Sequence, residues 1–143
     1  MKVLDIGCGT GGSAFYMART YGAQVMGIDL SDNMLEIANE HKMTMNEKIQ
    51  NLVSFRFLDA TKACFGEGEF DVIYSRDAIM HIADKDMLYA KIFNWLKPGG
   101  TILVSEYVHG RNYPNLSTEY IEYLKDRGYQ LVTVQEYGNI IKR

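Results

Sequence analysis

Cysteine is scarce in this chain of 143 residues, which carries only Cys8 and Cys64, far apart in sequence. Their spacing fits neither a disulfide framework nor a metal site, so both are expected to be reduced thiols filling loop or core space. Long apolar runs are also missing: the longest are too short and too interrupted to span a bilayer. No charged-then-apolar leader ending in a small-residue cleavage site opens the chain, and a cytoplasmic location is expected. Basic charge is not in excess. With 15 Lys and Arg against 18 Asp and Glu the formal net charge is -3, and there is no basic stripe. Nucleic acid is therefore a poor partner and a small soluble molecule a better one. No internal repeat, linker or disordered stretch appears, and the length is that of one domain able to bury a core.

What is present is a regular alternation of strand and helix patterns. Strands are expected at Lys2 to Asp5, Gln24 to Asp29, Val53 to Leu58, Phe70 to Ser75 and Thr101 to Glu106, and helices at about 11 to 21, 32 to 46 and 84 to 96. Such alternation builds right-handed βαβ crossovers and a mostly parallel sheet with helices on both faces, an α/β fold. Gly22 is placed to end the first helix and Ser31 to cap the second, while Lys97-Pro-Gly-Gly100 is expected to stop a helix and turn the chain into the last strand. A tyrosine-rich helix follows around Thr118 to Arg127, and Thr133-Val-Gln-Glu136 has the capping-box pattern of a final helix. Five strands are fewer than this architecture normally carries, so the chain is expected to be a partial domain.

The chemistry begins at Val3-Leu-Asp-Ile-Gly-Cys-Gly-Thr-Gly-Gly12, where an apolar strand ends in an acid and runs into a glycine-rich turn and a helix. The glycines let a ligand approach the backbone, and the helix presents free N-H groups and the positive end of its dipole. The same letters fit the dinucleotide fingerprint G-x-G-x-x-G, and a nicotinamide dehydrogenase is one reading. Asp5 counts against it, since a carboxylate before the loop repels a pyrophosphate but suits the positively charged methionine end of S-adenosylmethionine. Asp29, 22 residues after Gly7, stands where an acid can accept hydrogen bonds from both ribose hydroxyls. Asp59 ends the third strand and can accept from an adenine amino group, although strand-end Asp is also a common turn former. Three acids at the carboxyl ends of successive parallel strands, with a glycine loop, converge on the crevice where open α/β sheets bind ligands.

Together with Phe70-Asp-Val-Ile-Tyr74 and Leu96-Lys-Pro-Gly-Gly100, these motifs make residues 1 to 106 resemble the class I S-adenosylmethionine-dependent methyltransferases, a Rossmann-like fold. The resemblance implies that the methionine end of the cofactor lies near Asp5, Gly7 and Gly9, its ribose on Asp29 and its adenine on Leu30, Asp59 and Ala60.

Beyond the fourth strand, Asp77 and His81 are four residues apart and share one face if the segment turns helical. Tyr107, Tyr123, Arg127 and Tyr129 offer phenols and a guanidinium fork suited to a small anion such as phosphate. At Tyr74-Ser-Arg-Asp-Ala-Ile79, His81, Trp95-Leu-Lys-Pro98, Tyr107 and the Tyr123 to Tyr137 tail the chain is similar to the phosphoethanolamine N-methyltransferases. That similarity implies Arg76 among the cofactor contacts, Asp77 at the substrate amine, His81 in a catalytic pair, and Tyr107, Tyr123, Arg127 and Tyr129 around the phosphate. The family's catalytic tyrosine lies upstream of the glycine loop and a phosphate-binding lysine downstream, and this chain contains neither segment. Other readings remain: a methyltransferase with another small acceptor, or a domain that binds the cofactor without turnover. For amine methylation the chemistry asks for a base and a cation holder, roles that His81 and Asp77 can fill.

Overall fold

The first strand buries Val3 and Asp5 on one face and Leu4 and Ile6 on the other, which is the mark of a strand covered on two sides. In the computed structural model, which describes residues 1–110 and 113–142, this strand, β1 (Lys2–Ile6), sits at the centre of a five-stranded parallel sheet. The others are β2 (Gln24–Asp29), β3 (Val53–Phe57), β4 (Phe70–Arg76) and β5 (Leu96–Ser105), and the order across the sheet is β3-β2-β1-β4-β5. The chain thus builds outward from β1 in one direction, then returns to place β4 against its other side. The reversal opens a crevice between the carboxyl ends of β1 and β4, the position where sheets of this kind take ligands.

Alternation along β1 divides the core. Val3 and, from the neighbours, Val25 and Val53 pack against α1 (Gly12–Tyr21) and α3 (Glu47–Leu52), through Phe15, Ala18 and Ile49. Leu4 and Ile6, with Ile28 and Ile73, face α4 (Lys85–Trp95) and α6 (Val134–Ile141), through Leu88, Tyr89, Ile92 and Tyr137. Two further helices, α2 (Asp32–Met43) and α5 (Thr118–Asp126), complete the set.

The local signals mostly act as expected. Gly22 caps α1 with φ 63° and its N-H reaches Ala18 O. Ser31 Oγ accepts from Met34 N at 3.3 Å. Thr133 and Glu136 form the full capping box. Two expectations need correction. The helix read as running to residue 46 ends at Met43, because Asn46 Oδ1 accepts from Ile49 N at 3.0 Å and starts a separate helix, α3. Lys97-Pro-Gly-Gly100 does not precede the last strand but lies inside it. Leu96 already pairs with Phe70, and the extra residues are absorbed by a shift of register before Val72 meets Thr101. The absence of a side chain at Gly100 permits this, since a Cβ there would lie 3.1 Å from Asp71 O.

Candidate active site

The turn after β1 is fastened to β2 before any ligand is considered. Gly7 N and Cys8 N both donate to Ile28 O, at 2.9 and 3.1 Å. Gly7, with φ 73°, lies so close to the turn after β4 that a Cβ would come within 2.2 Å of Ala78 Cβ. Only glycine lets the two turns meet there. Asp29 ties the next piece: Oδ2 accepts from Gly9 N at 2.8 Å and Oδ1 from Ser31 N at 2.9 Å. Its carboxylate is thereby fixed in orientation with further lone pairs free to accept.

A cavity of about 390 Å³ opens beside these turns. Of the residues expected at the cofactor, Gly7, Asp29, Leu30, Asp59 and Ala60 line it, and Asp77 and His81 line it from the other side. Ile6, Ile28, Leu58 and Ile82 give it apolar walls that the motif reading did not name. Gly9, Asp5 and Arg76 do not line it. Arg76 instead borders a second hollow of about 400 Å³ with Tyr16, Tyr74 and Leu103. The reason is strand alternation: Asp5 and Arg76 have the parity of Val3, Val72 and Tyr74, which face α1.

Asp5 is 1% exposed and its Oδ2 has no hydrogen-bond partner among the described residues. Burial raises its pKa to about 7, the Arg76 charge opposes the rise and the Asp29 charge adds to it. The folded state therefore holds a proton that the unfolded chain has already released. The Asp5 contribution to the unfolding free energy is expected to fall as pH rises from the ordinary carboxyl value of 3.8 to about 7, and to level off above it. Urea midpoints across that range should therefore fall more, or rise less, in the parent than in the isosteric Asp5→Asn variant; equal slopes in the two proteins would count against the burial account.

Asp59 serves its own turn. Its Oδ1 accepts from Thr61 N at 2.9 Å and from Thr61 Oγ1 at 2.7 Å, and Lys62 Nζ stands 3.6 Å from Oδ2. The Thr61 hydroxyl bond, ahead of the weaker Thr61 amide and Lys62 contributions, holds its pKa below the usual carboxylate range. The strand-end turn thus occupies one oxygen, while the residue still borders the cavity.

Asp77 and His81 border the same cavity, but not as helix neighbours. The helical turn after β4 covers only Ile79–His81, and Asp77 stands before it with φ 54°, its N-H donating to Ser105 O at 2.8 Å. A left-handed conformation at a non-glycine residue stores strain. Here it turns the chain so that both side chains border one cavity.

Next to His81 lies a cluster of rings. The Tyr129 ring is 5.2 Å from the imidazole, edge to face, and contacts Tyr107 and Tyr123, each at 6.2 Å between centroids. The Arg127 guanidinium lies 5.4 Å from the Tyr123 ring centroid. Residues from β5's exit, from α5 and from its C-terminal turn are thus gathered at the edge of the cavity, with Tyr107 and Tyr123 largely open to solvent. Two charged residues of this region were missed in the sequence, Lys85 and Glu106. Glu106 had a signal, since it follows the end of β5 as Asp29 and Asp59 border the ends of their strands; Lys85 had none, standing in the first turn of a helix where lysines are usually solvated.

Comparison with known proteins matches the chain over its whole length. A family described as "Methyltransferase domain" matches residues 1–143. Phosphoethanolamine N-methyltransferase 1 of Zea mays is 48% identical over 141 residues, which is 99% of this chain and 27% of that protein. Phosphoethanolamine N-methyltransferase of Plasmodium falciparum (isolate 3D7) is 43% identical over 142 residues, covering 98% of this chain and 51% of that protein. Among solved structures, phosphoethanolamine N-methyltransferase 2 of Haemonchus contortus, in complex with phosphomonomethylethanolamine and S-adenosylhomocysteine, superposes with a TM-score of 0.89 at 38% identity, covering 99% of this chain and 32% of that one. The chain spans between about a quarter and a half of the length of these relatives.

Proposed function

We propose a function from one premise: the chain belongs to the methyltransferase domain family, which matches its whole length. The protein carrying it transfers a methyl group from S-adenosylmethionine to the amine of phosphoethanolamine, or of its mono- and dimethylated forms, toward phosphocholine. The observation that carries this reading is contiguity. The cavity with Asp29 and Asp59 at one end has Asp77 and His81 at the other, and the Tyr129, Tyr107, Tyr123 and Arg127 cluster begins where His81 ends. A phosphobase is an amine and a phosphate on one short chain, and such a site offers a partner to each. The names of the relatives, and the two ligands in the Haemonchus contortus structure, support it.

The residues fit the cofactor. The cavity is of small-molecule size and has mainly apolar walls with a few placed acids. The buried Asp5 Oδ2, unpartnered among the described residues, lies behind the glycine turn, where a cation brought close would favour its ionised form. S-adenosylmethionine, when bound, supplies an electrophilic methyl group on a sulfonium. Asp29 takes the ribose hydroxyls, Leu30, Asp59 and Ala60 flank the adenine, and Gly7 and Gly9 let the methionine end approach the backbone. Asp5 acts on that end through charge, and Arg76 keeps Asp5 closer to its ionised form.

On the acceptor side, an amine of lysine-like basicity, pKa about 10, cannot attack until it loses a proton. His81 takes that proton, Asp77 holds the cationic amine and product, and Tyr107, Tyr123, Arg127 and Tyr129 hold the phosphate. Much of the rate would come from these residues holding the amine in place against the methyl group that the cofactor would supply. Arg127→Lys tests the phosphate site, because an ammonium cannot reproduce the guanidinium fork. It is expected to weaken phosphoethanolamine binding about tenfold or more, the loss of one charged hydrogen bond, with S-adenosylhomocysteine binding unchanged. Calorimetric titration of both ligands, with ethanolamine as the phosphate-free control, reads this directly. Equal affinity for ethanolamine and phosphoethanolamine would rule out the phosphate site.

A further inference from the structure

Lys85 opens α4, where a lysine would ordinarily reach into water, yet it is 3% exposed. Its ammonium donates to Ile82 O at 2.7 Å, Gln130 O at 2.9 Å and Ile79 O at 3.1 Å, which uses all three of its protons. Ile79 and Ile82 bracket His81 in the turn after β4, and Gln130 follows Tyr129. A direct backbone bond, Gln130 N to Met80 O at 2.7 Å, runs beside them. One buried cation therefore ties the turn that presents His81 to the segment that presents Tyr129.

The same turn is faced from its other pole. Glu106 accepts from the Tyr137 hydroxyl at 3.0 Å, and Tyr137 shares a hydrogen bond with Tyr89. The N-H groups of Ile79 and Met80 face the Glu106 carboxylate and lower its pKa, although neither makes an aligned hydrogen bond and Oε1 is left unpartnered. Burial, the larger effect, raises that pKa and lowers that of Lys85, and each charge opposes the shift of the other. The turn is thus held at its carbonyls by a cation, while an acid faces its amides through charge alone. Burying such groups is costly unless their geometry is well satisfied, and what they fix here is the spacing between an imidazole and a ring 5.2 Å away.

We propose that Lys85 is a positioning residue that sets the span between His81 and the Tyr129 and Arg127 cluster, and through that span the length of the phosphobase the site accepts. The second half of this inference rests on the phosphobase reading above; the first half does not. Lys85→Met keeps the length of the side chain and removes its donors. In the full chain, the His81 imidazole resonances, assigned by their loss in His81→Gln, report the Tyr129 ring through its ring current. They are expected to shift in Lys85→Met toward the positions of a histidine with no ring beside it. Affinity for phosphoethanolamine is expected to fall about tenfold or more, as a displaced contact predicts, and its advantage over 3-aminopropyl phosphate, one methylene longer, to shrink. S-adenosylhomocysteine affinity stays at the parental value. Should Lys85→Met fail to fold, Glu106→Gln, which keeps volume and removes the facing charge, is read in the same way.

Unchanged His81 resonances and unchanged preference between the two phosphoamines in a folded variant would overturn the proposal. So would an equal loss of S-adenosylhomocysteine affinity, which would make Lys85 a general support of the fold. A parent that binds neither phosphoamine, while its His81 resonances still respond to Lys85→Met, would remove the phosphobase reading and leave the positioning of His81 standing.

Discussion

Replacing His81 with alanine is expected to lower the rate of methyl transfer about a hundredfold, the size of a lost general base, with cofactor affinity nearly unchanged. The geometry makes this separable from folding. His81 is exposed, its one ring contact among the described residues is Tyr129, and the backbone of its turn is held by Lys85 and by Gln130 N rather than by the imidazole. An exposed side chain of this kind contributes within about 0.5 kcal/mol to stability, so thermal unfolding should barely change. Steady-state kinetics with phosphoethanolamine, beside calorimetry with S-adenosylhomocysteine, measure the two halves. The variant should recover in part at alkaline pH, where free amine accumulates. Turnover near the parental value in a folded His81→Ala protein would leave alignment by Asp77 and the cofactor as the whole of the catalysis.

Asp29→Ala carries the second large effect, on cofactor binding. Each charged hydrogen bond lost to a ribose hydroxyl is worth about 1.5 to 3 kcal/mol, so the pair together should weaken S-adenosylhomocysteine binding by about a hundredfold or more. A second loss adds to it, because Asp29 also holds Gly9 N and Ser31 N and so keeps the glycine turn against the loop after β2. Asp29→Asn separates the two. One amide oxygen can retain a backbone bond but cannot serve both straps and both hydroxyls, so an intermediate affinity is expected. Calorimetric titration of the three proteins gives the order, and Asp29→Ala binding as tightly as the parent would displace the ribose assignment.

The alternation of strands and helices, the glycine turn and the strand-end acids were legible because each follows from spacing along a few residues. An apolar run with both parities filled reads as a buried strand, and Gly22, Ser31 and the Thr133 to Glu136 box mark helix ends by local hydrogen bonds. Even the tyrosine and arginine cluster was legible as a set of residue types, though not as an object touching His81. Where local rules competed, they misled: Asn46 could continue a helix or cap a new one, and Lys97-Pro-Gly-Gly100 could be a turn or an irregular strand entry. In each case packing against the sheet made the choice.

By itself, then, the sequence determined the α/β order, the position of the glycine turn and the chemical character of the acids around it, since these depend on neighbours within one turn or one strand. Tertiary structure alone decided which groups share a space. Arg76 and Asp77 are adjacent in sequence yet border different hollows, because strand parity and a left-handed Asp77 send them apart. Lys85 is buried because Gln130, 45 positions away, brings a carbonyl to its ammonium, and Glu106 is half-buried, with Tyr137, 31 positions on, bonded to it. Burial, charge pairing and the spacing of His81 from Tyr129 are set by contacts between segments far apart in the chain, and no periodicity within a segment encodes them.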